Sequence, residues 1–206
     1  MNLYSIDSLL EKLNNNDLTL KEILSIREKL AKPFKKHPLG FYVCTLIEEG
    51  VQKIRLHYWV TSDSKEIQSL DLMIHDHIFN FKSWVFSGAI ENIEYQQSNV
   101  GLKYNLFSTY YNENSSILRR EAQSLLVTEK NVRIISKGDS YEMSAGVLHK
   151  TRALEDMTFT ILYTQETDLK NPVVLAYERL LESEIVFERS EIHEIDMQNY
   201  LSRLKI

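Results

Sequence analysis

The sequence predicts a mostly β protein, an antiparallel sandwich or barrel with helical segments at both ends. From Phe41 onward, apolar residues recur with a period near two, which is the period of a β-strand. Turn residues interrupt that pattern at short intervals, and no helical window separates the segments. Before Phe41 and after Pro172 the apolar residues return to helical spacing. Short strands in series without intervening helices are typical of antiparallel two-sheet folds.

The N-terminal segment predicts two helices. Ser5 or Asp7 is placed to cap the first, which ends in the asparagine run 14–16. Thr19 and Glu22 have the spacing of a capping box for the second. Prolines 33 and 38 then end the helical pattern. The apolar residues of the two helices lie at helical spacing: Leu9, Leu10, Leu13, Leu20, Ile23, Leu24 and Leu30.

Ten short strands are predicted in the middle of the chain, at 42–47, 53–60, 71–77, 83–86, 90–95, 102–110, 123–127, 132–135, 140–143 and 158–163. After Pro172 the pattern predicts a helix over 173–181, and the amphipathic segment 191–206 predicts another. No repeat or linker indicates a second domain. We therefore expect one domain over 1–206, with a helical extension at 1–40, a β-barrel core at 41–165 and a C-terminal helical segment at 170–206.

Composition excludes several classes of function. The net charge of -5 and the short, dispersed basic clusters lack the basic footprint of a nucleic-acid-binding protein. A lone cysteine, Cys44, excludes an intramolecular disulfide and a cysteine-rich zinc site. No apolar stretch approaches the 18 or so residues of a membrane span, and the N-terminus lacks the pattern of a signal peptide. We expect a cytoplasmic protein with no membrane or nucleic-acid partner, as a monomer or a homodimer.

The histidines carry the strongest signal in the chain. His75 and His77 alternate with one residue between them, so on a strand they point to the same side of the sheet. His149, preceded by Gly146, would come from a neighbouring strand and complete a set of three nitrogen ligands. Neutral imidazole suits Fe, Zn, Ni and Cu, and open coordination positions are typical of catalytic sites. The alternative is a pair of surface histidines on an edge strand.

These motifs resemble the two metal-binding motifs of the cupins, which are small double-sheet β-barrels of the jelly-roll type with a metal inside. In the common first cupin motif a glutamate ligand follows the second histidine by four residues. Here that position is Phe81, followed by Lys82. The resemblance is therefore to three-histidine cupins, and among them to thiol dioxygenases similar to cysteine dioxygenase. It covers about residues 41 to 164 and includes segments 74–77, 146–150 and 160–163.

Two departures from the thiol dioxygenases bear on the substrate. The arginine that holds the substrate carboxylate in that family falls on Cys44, and the cysteine of its thioether cross-link falls near Phe81 or Lys82. Free cysteine is therefore a poor expectation for the substrate. Lys82, Arg55 or Arg133 could supply the positive charge instead, and Trp84 could form a pocket wall or simply pack in the core.

Two further side chains are candidates for a catalytic role. Tyr163 shares an apolar strand face with Phe159 and Ile161, and we expect that face to point inward, which would bring its hydroxyl to the cavity. A core tyrosine is the alternative. His57 lies on the strand before the first motif and could be a fourth ligand, a proton shuttle or a structural histidine.

The resemblance implies a mononuclear non-heme Fe(II) dioxygenase that oxidises a small molecule, such as a thiol, or a short peptide with O2. Two other functions stay open at this point. One is a non-oxidative metallo-cupin, an isomerase, decarboxylase or lyase that uses Zn, Mn or Ni as a Lewis acid. The other is a regulatory cupin that binds metal without catalysis. An enzyme is favoured because three histidines that converge in one cavity are costly to desolvate without a ligand.

Overall fold

The computed structural model describes residues 5–60, 72–112 and 114–204. The predicted strand at 71–77 begins outside the described residues. Within them, the chain forms two antiparallel six-stranded sheets with helices at both ends. The predicted fold class, a mostly β double-sheet barrel with terminal helices, is confirmed.

Both N-terminal helices begin where the capping residues predict. Helix α1 spans Ile6–Asn14, and the Ser5 side chain accepts a hydrogen bond from the Ser8 amide. Helix α2 spans Leu20–Lys29, and Thr19 and Glu22 form a complete capping box. Each cap satisfies backbone N–H groups that a helix leaves without an intrahelical partner. Within the described part of the chain, no helix is long and apolar enough to cross a membrane.

The first sheet, sheet A, packs against these helices. In chain order its strands are β1 (Lys35–Lys36), β2 (Tyr42–Glu49), β3 (Gln52–Trp59), β5 (Phe79–Ser87), β8 (Ser140–Met143) and β10 (Thr158–Glu166). Their order in the sheet is β1-β2-β3-β10-β5-β8. Strand β10 therefore lies between β3 and β5, and the last core strand inserts between two early ones, as the Greek-key connections of a jelly roll require.

The second sheet, sheet B, carries the histidine motifs. Its strands are β4 (Ile74–His75), β6 (Ala89–Asn112), β7 (Ser115–Ser136), β9 (His149–Ala153), β11 (Val173–Tyr177) and β12 (Glu184–Glu188). Their order is β11-β4-β9-β6-β7-β12, and β11 also pairs with β6. The four strands predicted over 90–135 are parts of one long hairpin, β6–β7, whose register shifts locally at three points.

The helix predicted over 173–181 is wrong. Residues 173–177 form strand β11, which pairs with both β4 and β6. Val173, Val174 and Leu175 fit the apolar face of a helix, but β-branched valines also favour a strand. The free edge of β4 provides backbone hydrogen-bonding partners for that strand. Strand β12 was not predicted either. The C-terminal helix is present as α3 (Glu194–Leu201), shorter than the predicted 191–206.

The main hydrophobic core lies between sheet A and the helices. Apolar residues of α1 and α2 pack on one face of β2, β3 and β10, and Met197 of α3 joins them. Sheet A contributes Leu46, Ile54, Leu56, Tyr58, Phe159 and Ile161 to this core, all of them fully buried. A second, smaller core fills one part of the barrel interior between the sheets, with Phe81, Val85, Ile90, Ile135, Tyr141, Met143 and Leu162.

Gly88 alone links β5 to β6, so the chain passes from one sheet to the other at this residue. Its φ is +71°, a backbone conformation that L side chains rarely adopt. A Cβ at position 88 would also lie 2.2 Å from the Thr158 hydroxyl oxygen. Conformation and space together therefore require glycine between the two sheets.

Candidate metal centre

The structure brings the three motif histidines together. His75 on β4 and His149 on β9 are direct partners in the antiparallel pairing of these strands, and His77 follows two residues after His75. Ring centroids are 4.5 Å apart for His75 and His149, 4.8 Å for His75 and His77, and 5.0 Å for His77 and His149. The Gly146 amide donates a 2.9 Å hydrogen bond to the His77 carbonyl, which ties the two motifs to each other.

Their nitrogen atoms are close enough to share one ion. One ligand atom from each ring lies within 4.8 Å of the other two. The Nδ1 atoms of His75 and His149 lie 3.0 Å and 3.1 Å from the carbonyls of Met73 and Val147. A carbonyl only accepts, so each Nδ1 carries the proton, and each Nε2 has its lone pair free for a metal. Such a carbonyl partner is the usual means of orienting a metal-binding imidazole.

All three imidazoles are held neutral. Burial and, to a smaller extent, the neighbouring His75 lower the pKa of His149 to about 3. Burial also lowers the pKa of His75, and it lowers that of His77 well below the ordinary value. Metal binding needs an unprotonated ring, so the site is ready to coordinate at neutral pH without first losing a proton.

Aromatic rings wall the site on the side of sheet A. The Phe79 ring stacks on His77 at 4.5 Å, and the Phe81 ring lies 5.7 Å from His77 and 6.1 Å from His149. Phe81, which the sequence resemblance aligns with a glutamate ligand, thus presents an apolar ring to the histidines. In the part of the chain that the structure describes, the three histidines form the group that could hold a metal, and no carboxylate belongs to it.

Asp76, between the two ligands of the first motif, has a structural contact. Its carboxylate accepts a 2.6 Å hydrogen bond from the Val173 amide, and its own amide donates to the Val173 carbonyl at 3.0 Å. Burial raises its pKa to about 6. Asp76 therefore fastens β11 beside β4 and so supports the strand that presents His75.

Two of the predicted site residues lie on the cavity side of sheet A. Arg55 and His57 alternate with the core residues Ile54, Leu56 and Tyr58 on β3, so they point into the barrel. The Arg55 guanidinium lies 4.9 Å from the centre of the Phe79 ring. His57 packs against Phe41, with ring centroids 4.6 Å apart, and burial lowers its pKa to about 3.

His57 lies outside the group of three nitrogens that could share an ion. It is therefore not a fourth ligand in this arrangement. His57 is also a poor candidate for a proton shuttle. With a pKa near 3 the imidazole does not take up a proton at neutral pH, and a shuttle must both accept and release one.

Tyr163 lies on the opposite face of the sheet, and the expectation that it points into the cavity is wrong. Phe159 and Ile161 belong to the core under the helices, and Tyr163 packs against that core. The Tyr163 hydroxyl accepts a 2.8 Å hydrogen bond from the Gln52 side chain. The inward positions of β10 are instead Thr158, Thr160, Leu162 and Thr164. Apolar alternation identified the face that the helices cover, not the barrel interior.

Cys44, Lys82 and Trp84 also lie on the helix side, which removes them from the histidine site. The Cys44 thiol is buried in the helix-covered core, 3.8 Å from the Lys32 carbonyl, and burial raises its pKa to about 12. The Lys82 ammonium contacts Asn14 of α1 at 3.1 Å and Glu142 at 3.4 Å, and it lies over the Trp84 ring. Lys82 and Trp84 line a surface cavity of about 440 Å³ beside α1. Arg133, the other candidate cation, pairs with Glu94.

Two residues that accompany Arg55, Arg189 and Tyr111, were not predicted from the sequence. Arg189, just after β12, lies over the Tyr111 ring at 5.1 Å and donates to the Ser116 hydroxyl at 2.7 Å. Both contribute to the electrostatic environment of Arg55. They lie far from the histidine motifs in sequence, and no local pattern marks them. Only the pairing of β12 with β7 brings Arg189 to this place.

No protein-family model matches the chain, and no curated protein does. Solved structures with a similar arrangement include oxalate decarboxylase from Bacillus subtilis, at 11% identity over 68% of this chain and 29% of that one, with a TM-score of 0.39. Hydroxypropylphosphonic acid epoxidase from S. wedmorenis matches at 12% identity over 65% and 55%, with a TM-score of 0.40. Oxalate decarboxylase from Lactobacillus farciminis matches at 13% identity over 68% and 32%, with a TM-score of 0.36.

This chain therefore spans between 29% and 55% of the length of these three proteins. The fold stated above rests on the strand order and register of this chain, not on these similarities.

Proposed function

We propose that this protein is a metal-dependent enzyme that uses His75, His77 and His149 as its ligands. The observation that supports this proposal is the convergence of three neutral imidazole nitrogens within 4.8 Å of one another. Two of the three rings are oriented by carbonyls so that their Nε2 atoms are free. Three histidines with no carboxylate suit a divalent transition metal and leave its charge undiminished.

We further propose Fe(II) as the metal and a dioxygenase-like oxidation of a small molecule, or of a short peptide, with O2. Iron bound at this site would supply electrons to dioxygen and positive charge to a substrate anion. The chain itself offers little acid–base chemistry nearby: His57 is neutral with a pKa near 3, and the Asp76 carboxylate is engaged by the Val173 amide. Isomerases and lyases that move protons need a free base with a pKa near the working pH. The Asp76 carboxyl has such a pKa, about 6, but its hydrogen bond to the Val173 amide holds it in a structural role, which favours oxidation over a non-oxidative reaction.

The residues around the cluster have roles consistent with such an enzyme. Phe79 and Phe81 cover one side of His77 with apolar rings and limit the access of water. A low local dielectric strengthens every charge interaction in the cavity. Two carbonyls, of Met73 and Val147, fix the rings that they contact. The chain therefore binds and orients, while the redox chemistry would belong to the metal.

Metal analysis combined with oxygen uptake tests the proposal. Protein purified without oxygen and reconstituted with Fe(II) is expected to hold one iron per chain and to consume O2 in the presence of a substrate from a panel of thiols and diketones. Zinc, manganese or nickel with no oxygen uptake would favour the non-oxidative metallo-enzyme, for which the same donor set is suitable. Failure to retain any metal after supplementation would contradict both.

A further inference from the structure

Arg55 is a cation without a counter-ion in the part of the chain that the structure describes. No carboxylate there lies within ion-pair distance of its guanidinium, and the guanidinium donates no hydrogen bond to that part. The guanidinium lies over the face of the Phe79 ring instead. Lys53, on the same face of β3, is different: its ammonium pairs with Glu48 at 3.1 Å and with Glu166 at 2.8 Å. A half-buried charge is costly to desolvate when nothing compensates it.

This guanidinium lies close to the histidine cluster. One face of the Phe79 ring carries the guanidinium at 4.9 Å from the ring centre, and Phe79 also stacks on His77 at 4.5 Å with an angle of 16° between the planes. One aromatic ring therefore connects Arg55 to the metal-binding histidine. The positive charge of Arg55 is one of the influences that lower the pKa of His77, after burial and the two other histidines.

A second arginine adds to the positive charge of the same cavity. Arg189 lies over the Tyr111 ring at 5.1 Å, and after burial these two residues are the groups that most affect the pKa of Arg55, so the two arginines lie near each other. The acids whose charges affect Arg55, Glu166 and Glu48, both pair with Lys53, and Asp76 accepts from the Val173 amide. A divalent metal on three neutral ligands would add two further positive charges. Two arginines therefore lie near the histidine cluster, and the acids named here already have partners.

We propose that Arg55 anchors an oxyanion group of the substrate, a carboxylate or a phosphate-type group, while another atom of the same molecule reaches the metal. This inference rests on the proposed function, since it specifies the substrate of that site. The guanidinium presents a planar fork of N–H donors that matches two oxygens of such a group. Because the Phe79 ring contacts both the guanidinium and His77, the two ends of the substrate would lie close together, as in a small molecule.

Calorimetric titration of the metal-free protein tests Arg55 without any need for turnover. The probes are acetate, inorganic phosphate and the neutral acetamide, all at constant ionic strength. We expect one or both anions to bind and acetamide not to bind, and Arg55→Gln to weaken anion binding about tenfold. Arg55→Lys keeps the charge but loses the fork, so an intermediate affinity is expected. The comparison of acetate with phosphate identifies the class of oxyanion.

Arg152→Gln is the matched control, because Arg152 is exposed and pairs with Glu91 on sheet B. It should bind the anions like the wild type, and a thermal melt of each variant establishes that it is folded. Equal binding of acetate and acetamide, or wild-type anion affinity in folded Arg55→Gln, would overturn the inference. Iron content, measured on a second portion of each protein after reconstitution with Fe(II), separates the two proposals: anion binding that depends on Arg55 in a protein unable to retain metal would leave the anion site standing and contradict the proposed function.

Discussion

The two faces of sheet A differ in a way that reverses the usual expectation for a barrel. The face toward the helices is apolar and fully buried, with Ile54, Leu56, Phe159 and Ile161 at its centre. The face toward the other sheet carries Arg55, His57 and a series of threonines beside the aromatic wall of the histidine cluster. The outer face therefore contributes most to stability, and the inner face provides the candidate site.

The comparison explains which parts of the molecule could be predicted. The histidine motifs were predictable because each is local, and because His75 and His77 share a face by strand geometry alone. The helix caps at Ser5 and Thr19 were predictable for the same reason. Alternation along β10 separated its residues correctly into two faces. It did not tell which face was inside, because the apolar face belonged to a helix layer contributed by a distant part of the chain.

The remaining errors have the same origin. Residues 173–177 form a strand because the edges of β4 and β6 offer backbone hydrogen-bonding partners. Those edges exist only once the sheet has assembled, so they cannot be read from the local sequence. The pairing of β12 with β7 brings Arg189 to the cavity, and no local sequence pattern predicts that pairing. Pairings between segments far apart in sequence decide both outcomes.

Removal of a ligand should have the largest effect and should affect only the inner face. His77→Ala is expected to lose its metal, with affinity reduced by about 100-fold or more, because three nitrogens are reduced to two. The apolar core under the helices does not involve His77, so the metal-free melting temperature should stay close to that of the wild type. Metal content after dialysis, together with a melt of the metal-free protein, measures both. Full metal occupancy in this variant would contradict the assignment, and His193→Ala, in the exposed C-terminal segment, is the control.

A substitution in the core under the helices should lower stability without affecting metal binding. Phe159 is fully buried beneath the helices, and its ring lies 5.7 Å from that of Tyr58. Phe159→Ala should lower the free energy of unfolding by about 3–5 kcal/mol through lost burial and a residual cavity. Denaturant unfolding provides the measurement, with the half-exposed Leu154→Ala as a control of small effect. If this variant still folds, it should bind metal as the wild type does; a selective loss of metal would indicate that the two faces are coupled.

Acid should lower the free energy of unfolding of the metal-free protein, because buried histidines on the inner face resist protonation. Burial lowers the pKa of His57 and of His149 to about 3 in the folded chain, whereas unfolded histidine titrates near 6.5. Between these values the unfolded state binds more protons, so this contribution is complete above pH 6.5 and is lost as the pH falls toward 3. Each histidine should lower the stability by about 1.4 kcal/mol per pH unit in that window. Unfolding free energies from pH 7 to pH 4 should show a shallower slope in His57→Gln, and an unchanged slope would contradict the assigned burial.

The smallest expected effect concerns the helix layer that covers the outer face. Thr19 caps α2. Its hydroxyl oxygen accepts a hydrogen bond from the Glu22 amide, and the Glu22 carboxylate accepts one from the Thr19 amide. Thr19→Ala should cost about 1 kcal/mol of unfolding free energy. Chemical denaturation checks the value, and Thr19→Ser, which keeps the hydroxyl, should lie within a few tenths of the wild type. A loss in Thr19→Ser as large as in Thr19→Ala would show that the hydroxyl is not the stabilising group.

The most direct measurement is anomalous diffraction at the iron absorption edge from crystals of the iron-loaded protein. A single peak within bonding distance of ring nitrogens of His75, His77 and His149 is the result predicted here. A peak elsewhere, or one bonded to only one of these rings, would contradict the central claim that the two histidine motifs form one metal site.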